Sequence, residues 1–200
     1  QLLADLGAEV IRRERIGRGD EMRYYGPPFI RDAAGQDLPL SSYFIGANRG
    51  KKSVEIDLTK PGAQQVVRDL AAICDVMVEN FKVGDLARHG LDYAAIRKVN
   101  PGIVYCSITG FGQTGPYASR PGTDSVFQAM SGMMSITGEP GQPPTKIGLI
   151  ISDLITGLFA ANAIQAALRV RAQGGPGQHI DMSLLDVSVA TMSHRAIDYL

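Results

Sequence analysis

One stretch limits the folds open to this chain: residues 147–171, IGLIISDLITGLFAANAIQAALRVR, nearly all apolar or small, with a single acid, Asp153. An apolar approach ends at Ser152. From there Leu154, Leu158, Ala161, Ile164 and Leu168 recur at helical spacing, which predicts a buried helix starting near Ser152 or Asp153. A helix apolar on most of its surface has to be wrapped by other elements. Its interruption by Asp153, Thr156, Asn162 and Gln165 argues against a membrane span. An ionised carboxylate in such surroundings is costly unless partners meet it. The helix N-terminus is one partner, because its free N–H groups and dipole favour negative charge. Two readings of Asp153 follow: an ordinary first-turn cap, or a poorly hydrated, reactive carboxylate.

The rest of the chain alternates strand and helix patterns. Strands are predicted at 8–12 (AEVIR), 53–58 (SVEIDL), 75–79 (DVMVE), 103–109 (IVYCSIT) and 178–182 (QHIDM). Between them, Thr59 and Pro61 open a helix running to about Ile73, a short helix at 84–89 closes on Gly90, and Asp92 caps another to Val99. A methionine-rich helix is read at 123–135, and Ser183 caps a last one over 184–200. This order argues for an α/β fold: a largely parallel sheet with flanking helices, wound like a nucleotide-binding domain. Residues 21–47 read as a long irregular stretch carrying Tyr24, Tyr25, Phe29, Tyr43 and Phe44, a length loops seldom reach without a role.

Twenty basic and 20 acidic residues cancel, which gives no footing for nucleic acid or a polybasic membrane surface. Cys74 and Cys106 lie in or beside apolar runs and read as small buried residues of a reducing, cytoplasmic location, not as a disulfide or a metal site. No signal-peptide pattern is present. Gln1 opens on a helical pattern already under way and Leu200 stops inside another, which reads as a fragment cut at both ends.

Three further loops carry candidate chemistry. Arg12, Arg13 and Arg15, followed by Gly17-Arg18-Gly19-Asp20, form a basic cluster at a strand's carboxyl end, suited either to a phosphate or to plain solvation. Asn48-Arg49-Gly50-Lys51-Lys52 is a second basic turn. Gly110-Phe111-Gly112-Gln113-Thr114-Gly115 has the form G-x-G-x-x-G after a strand, but Pro116 and Tyr117 continue as loop where a dinucleotide fingerprint must open a helix. A close-packed loop beside an active site is expected there.

Taken together, the segments LLADLGAEVIRRER (2–15), ANRGKKSVEIDL (47–58), DVMVENFKVGDLARHGLDY (75–93), NPGIVYCSITGFGQTGPYASRPGTD (100–124), SDLITGLFAANAIQAAL (152–168) and GQHIDMSLLD (177–186) resemble the family III CoA-transferases. The likeness spans the chain. Residues 105–116 and 191–200 look most like the subgroup that moves CoA between succinyl-CoA and dicarboxylates such as glutarate or hydroxymethylglutarate.

The resemblance implies that residues 1–200 are most of a Rossmann-like, CoA-binding large domain, without its first strand or the second domain, from an enzyme whose two subunits interlock. It implies Asp153 as the catalytic nucleophile, with Arg15, Asn80, Phe81 and Arg88 holding CoA. Lys51 and Lys52 are weaker candidates. Coenzyme A enters as substrate, with a small carboxylic acid as its partner. No permanently bound cofactor, metal, nucleic acid or membrane is implied. Two alternatives stay open. A 2-methylacyl-CoA racemase would use Asp153 as one base, but Thr123 stands in the Gly122-Thr123-Asp124 turn where that reaction wants a histidine. A non-catalytic acyl-CoA-binding module is the other.

Overall fold

The computed structural model describes residues 1–200, the side chain of Tyr199 excepted. It comprises two compact units, Gln1–Ala63 and Gln64–Leu200.

The first unit holds α1 (Leu2–Asp5), β1 (Val10–Glu14), a 3-10 turn (Glu21–Tyr24), β2 (Phe29–Arg31), β3 (Asp37–Ser41), α2 (Ser42–Asn48) and β4 (Lys51–Glu55). β1 and β4 pair in parallel, with Val10 opposite Lys51 and Glu14 opposite Glu55. Residues 21–47 are therefore ordered, contrary to the irregular stretch expected. Short-range polar bonds do this without a periodic apolar pattern. Asp32 closes the antiparallel β2–β3 hairpin by accepting from the Ala34 and Gln36 N–H groups, both at 2.9 Å. The Ser41 hydroxyl caps α2 by accepting from the Phe44 N–H at 3.1 Å.

The centre of this unit is polar. Glu14 is 3% exposed. Its carboxylate accepts from Arg23 Nε and Nη2 (2.8 Å each), the Asp20 N–H (2.8 Å) and Ser53 Oγ (2.7 Å). The Arg23 guanidinium, then Ser53 and Arg12, hold the carboxyl down at about 2. Arg12 pairs with Asp20, and the guanidinium of Arg23 sits 3.9 Å from the Phe44 ring centroid. Of the basic cluster read in the sequence, Arg12 and Arg13 thus serve the unit's own fold, Arg13 by donating to the Ile56 carbonyl at 2.9 Å.

The second unit is a parallel sheet with helices: α3 (Pro61–Ile73), β5 (Val76–Glu79), α4 (Tyr93–Val99), β6 (Val104–Thr109), α5 (Asp124–Met130), α6 (Ile151–Ala172), β7 (His179–Ser183), α7 (Leu184–Thr191) and α8 (Ser193–Tyr199). α3 begins in the last residues of the first unit. The strand order is β5-β6-β7, with Cys106 opposite Val78 on one side and Ile180 on the other. β6 is the covered middle strand, which is why VYCSIT is nearly continuous in apolar and β-branched residues. Cys106 is fully buried there, and burial pushes its thiol up to about 12, the inert small residue the sequence indicated. Asn100 ties the turn before β6 to the end of α3, donating to the Ala71 and Cys74 carbonyls at 2.9 Å each while accepting from the Gly102 N–H at 3.1 Å. The helix expected at 123–135 breaks at Gly132, whose φ of 91° ends α5 before a 3-10 turn. The last helix breaks likewise at Met192.

α6 lies against α5, α7, β6 and β7. Among the described residues it is the helix long and apolar enough, by length and composition, to cross a membrane. Its inward face differs from the stripe expected. Ser152, Thr156, Ala160, Ile164 and Ala167 are buried, whereas Leu154, Leu158 and Phe159 are exposed. Small residues let the helix approach its neighbours closely, and the larger ones fall on the open side. Arg171 anchors the far end, donating to the Gly102 carbonyl at 3.2 Å and to the Asp75 carboxylate at 2.5 Å. Since these residues precede β6 and β5, the opposite end of α6, with Asp153, points toward the strands' carboxyl ends.

β7 enters the sheet through a backbone contact that admits no side chain. A methyl group on Gly177 would stand 2.4 Å from the Ile103 carbonyl oxygen and 2.7 Å from that of Pro101. Backbone cannot swing aside as a side-chain tip can, so Gly177→Ala is expected to cost about 2 kcal/mol. A lowered urea midpoint of the full-length protein is the measurement. An unchanged midpoint would show that the strand entry yields.

Candidate active site

The register of the second sheet puts Glu79, Tyr105, Ser107, His179 and Asp181 on one face, because side chains alternate along each strand. At this face lies a pocket of about 310 Å³ lined by Glu79, Lys82, Leu86, Tyr93, Ser107 and His179, among others. Ser107 Oγ is 2.9 Å from His179 Nε2, and the His179 ring stacks on Tyr93 with centroids 4.7 Å apart. Tyr105 is buried and donates from its hydroxyl to the Leu91 carbonyl at 2.8 Å.

Three of the residues carried over from the resemblance follow on the connection that leaves the carboxyl end of β5, the segment that also gives Lys82 and Leu86 to this pocket; none of the three lines it. Asn80 is exposed, and Phe81 is half-buried with its N–H donating to Glu79 Oε2 at 2.8 Å. Arg88 is exposed and pairs with Asp85 one turn back. Arg15 belongs to the first unit. It follows β1 in an isolated bridge to Gly19, is exposed, and pairs with Glu21 at 3.2 Å. Lys51 is half-buried, donating to Asn48 at 3.1 Å, and Lys52 pairs with Glu9 at 2.9 Å. Among the described residues, no group of three or more His, Cys, Asp or Glu is placed to hold a metal ion.

The glycine loop after β6 does not open a helix; helical structure resumes only at Asp124. Its shape is set by two contacts. The Asp181 carboxylate accepts the Gln113 N–H at 3.1 and 2.9 Å. The Phe127 ring, 1% exposed, packs where a side chain on Gly110 or Gly122 would lie; a methyl carbon added to either glycine would stand 2.6 or 2.2 Å from the ring. The Gln113 N–H is therefore already taken, which removes it from the donors this loop offers to a developing oxyanion.

Asp153 stands in the first turn of α6 without capping it. The cap comes from α5 instead. Asp124, 6% exposed, accepts from the Ser152 N–H at 2.9 Å and from Ser152 Oγ at 2.7 Å. It also accepts from Gln128 Nε2 at 2.6 Å, and fully buried Gln128 in turn bonds the Leu149 carbonyl (3.1 Å) and the Ile147 N–H (2.9 Å). One carboxylate and one amide, a helical turn apart, thus fasten both the approach and the helix start. Asp153 is exposed, so the enclosed recess expected from the sequence does not close around it among the described residues. Partial burial still pushes its carboxyl above the ordinary aspartate range, and the charge of Asp124 adds to the effect. The sequence reading missed Asp124, Gln128 and Ser152 as a group. Their one signal was an Asp and a Gln four apart on a helix.

The family model for CoA-transferase family III matches residues 1–200. Over 200 residues the chain is 50% identical to the succinate–glutarate CoA-transferase of Agrobacterium fabrum, covering 100% of this chain and 50% of that protein. It is 46% identical over 198 residues to the human succinyl-CoA:glutarate CoA-transferase, covering 99% of this chain and 44% of that protein. Among solved structures, a CaiB/BaiF family protein from Brucella suis superposes with a TM-score of 0.93 at 47% identity, over 100% of this chain and 52% of that one. The chain spans about half the length of the relatives it matches.

Proposed function

Because the chain belongs to CoA-transferase family III, we propose that the whole protein moves CoA from succinyl-CoA to a small dicarboxylate such as glutarate. In this reading residues 1–200 supply its CoA-binding large domain, and the complete enzyme is an interlocked, cytoplasmic homodimer with no permanently bound cofactor. The observation that carries the reading is the placement of Asp153. It is a carboxylate at the start of α6, toward the carboxyl ends of a parallel sheet, the end at which α/β folds bind ligands. Asn80 and Phe81 leave the same end of β5.

The chemistry needs no proton transfer. The Asp153 carboxylate attacks the thioester carbonyl of succinyl-CoA and expels the CoA thiolate, which leaves a mixed anhydride. The thiolate attacks the aspartyl carbonyl and expels succinate, which gives an aspartyl–CoA thioester. The acceptor carboxylate attacks that thioester, again releasing thiolate and forming a second anhydride. The thiolate then takes the acceptor's acyl group and restores Asp153. Covalent catalysis divides one difficult transfer into attainable steps. Arg15 and Arg88 suit the CoA phosphates as forked cations, and Asn80 and Phe81 line its path.

The decisive experiment incubates the full-length protein with succinyl-CoA and a panel of acids, glutarate among them, and follows acyl-CoA products by mass spectrometry. Glutaryl-CoA with matching release of succinate is expected. No new acyl-CoA from any acid in the panel would refute the reading.

A further inference from the structure

We propose that Asp124 is the positioning residue of this site: through Ser152 it fixes the helix start that carries Asp153. The inference rests on the reading of Asp153 as nucleophile and goes beyond it. The bonds are those of a built cradle. Asp124 takes both donors of Ser152, at 2.9 and 2.7 Å, and Gln128 locks it at 2.6 Å. Asp124, Gln128, Ser152 and Thr156 are all buried, and Thr156 Oγ1 secures the first turn from the other side by donating to the Ser152 carbonyl at 2.6 Å. A nucleophile one residue from Ser152 inherits that rigidity.

The arrangement is not the one that stability alone would select. The dipole at a helix start steadies a single carboxylate, yet two stand here, and the charge of Asp124 resists the ionisation of Asp153. Partial burial and then the charge of Asp124 act on Asp153. The cradle therefore holds the nucleophile still and keeps its carboxylate energetic once ionised, so that it more readily gives itself to an acyl carbon.

The test uses the full-length enzyme with Asp124→Asn, which keeps the shape and removes the charge, beside Ser152→Ala, which keeps the charge and removes one bond. Two readouts are taken: the pH profile of kcat, and the titration of Asp153 followed by carbon-13 carboxyl NMR with Asp153→Asn for assignment. Asp124→Asn is expected to lower kcat about 10- to 100-fold through lost positioning, with both the acid limb and the carboxyl titration displaced to lower pH. Ser152→Ala is expected to lower kcat by a smaller factor with the titration in place. Should the Asn variant fail to fold, Asp124→Ser, uncharged and smaller, takes its place. An unmoved Asp153 titration in the uncharged variant, or wild-type kcat in both variants, would overturn the proposal. A wild-type enzyme without transfer activity would instead refute the transferase reading, and the NMR titration would still decide the effect of Asp124.

Discussion

Replacing Asp153 by asparagine in the complete protein is expected to lower transfer by a factor on the order of 10⁴ or more, because an amide cannot form the anhydride. The CoA adduct trapped on the wild-type enzyme should vanish from the variant. Stability should move the other way or not at all. The folded-state carboxyl of Asp153 is held above its ordinary value of 3.8 by burial and by Asp124. The protonated form therefore favours the fold: the penalty is absent below 3.8 and grows to completion as pH rises through the raised value. A neutral isostere escapes that penalty. Loss of activity with an undiminished melting temperature is thus the expected pair of results, and a variant that retains near wild-type turnover would remove Asp153 from the mechanism. The same shift places the acid limb of the wild-type pH profile above 3.8, since only the carboxylate attacks.

Glu14→Gln should be the most damaging change to the first unit, at about 3 to 5 kcal/mol. All four groups that reach this side chain are donors: two guanidinium nitrogens of Arg23, the Asp20 N–H and the Ser53 hydroxyl. An amide offers one acceptor oxygen, turns its own N–H₂ toward the others, and leaves Arg23 without its countercharge. The wild-type pH dependence has a definite sign. With its carboxyl at about 2 against an ordinary 4.5, Glu14 contributes stability that is fully present above about pH 4.5 and is lost as pH falls from there toward 2. Acid unfolding of the full-length protein, followed for wild type and variant, measures this. A variant with wild-type stability at neutral pH would show that the donors find other partners.

What the sequence made legible was whatever repeats at a structural period. β6, α3 and α4 fall within a residue or two of where alternation, Pro61 and Asp92 placed them, and the parallel α/β class follows from their order. β1 lies two residues later than expected, and β4 begins two and ends three residues earlier, since charged side chains at Arg12 to Glu14 and at Lys51 and Lys52 blur the alternation. The hairpin of residues 29–41 was invisible, because Asp32 and Ser41 build it through single polar bonds that no apolar pattern announces. The buried face of α6 was misjudged for a related reason. Hydrophobicity ranks Leu154 and Leu158 above Ser152 and Thr156, yet the two hydroxyls have partners inside and the leucines do not. Asp153 was legible as an oddity, one acid in an apolar run. Asp124 was not, because its meaning depends on a helix that begins 27 residues later, and Ser152, 28 positions on, is its partner.

The position of β6 between β5 and β7 has a consequence for synthesis. Ser107 and its partner His179 are 72 residues apart, so a ribosome adding about 5 to 20 residues each second needs roughly 4 to 14 seconds to travel from one to the other. For that interval the emerging polypeptide carries its greasiest strand with one flank matched and the other bare, an open template for any stray extended segment. The glycine loop waits as long for Asp181 to hold it. The timetable of translation, as much as the finished contacts, thus decides when this half of the molecule becomes safe from its neighbours.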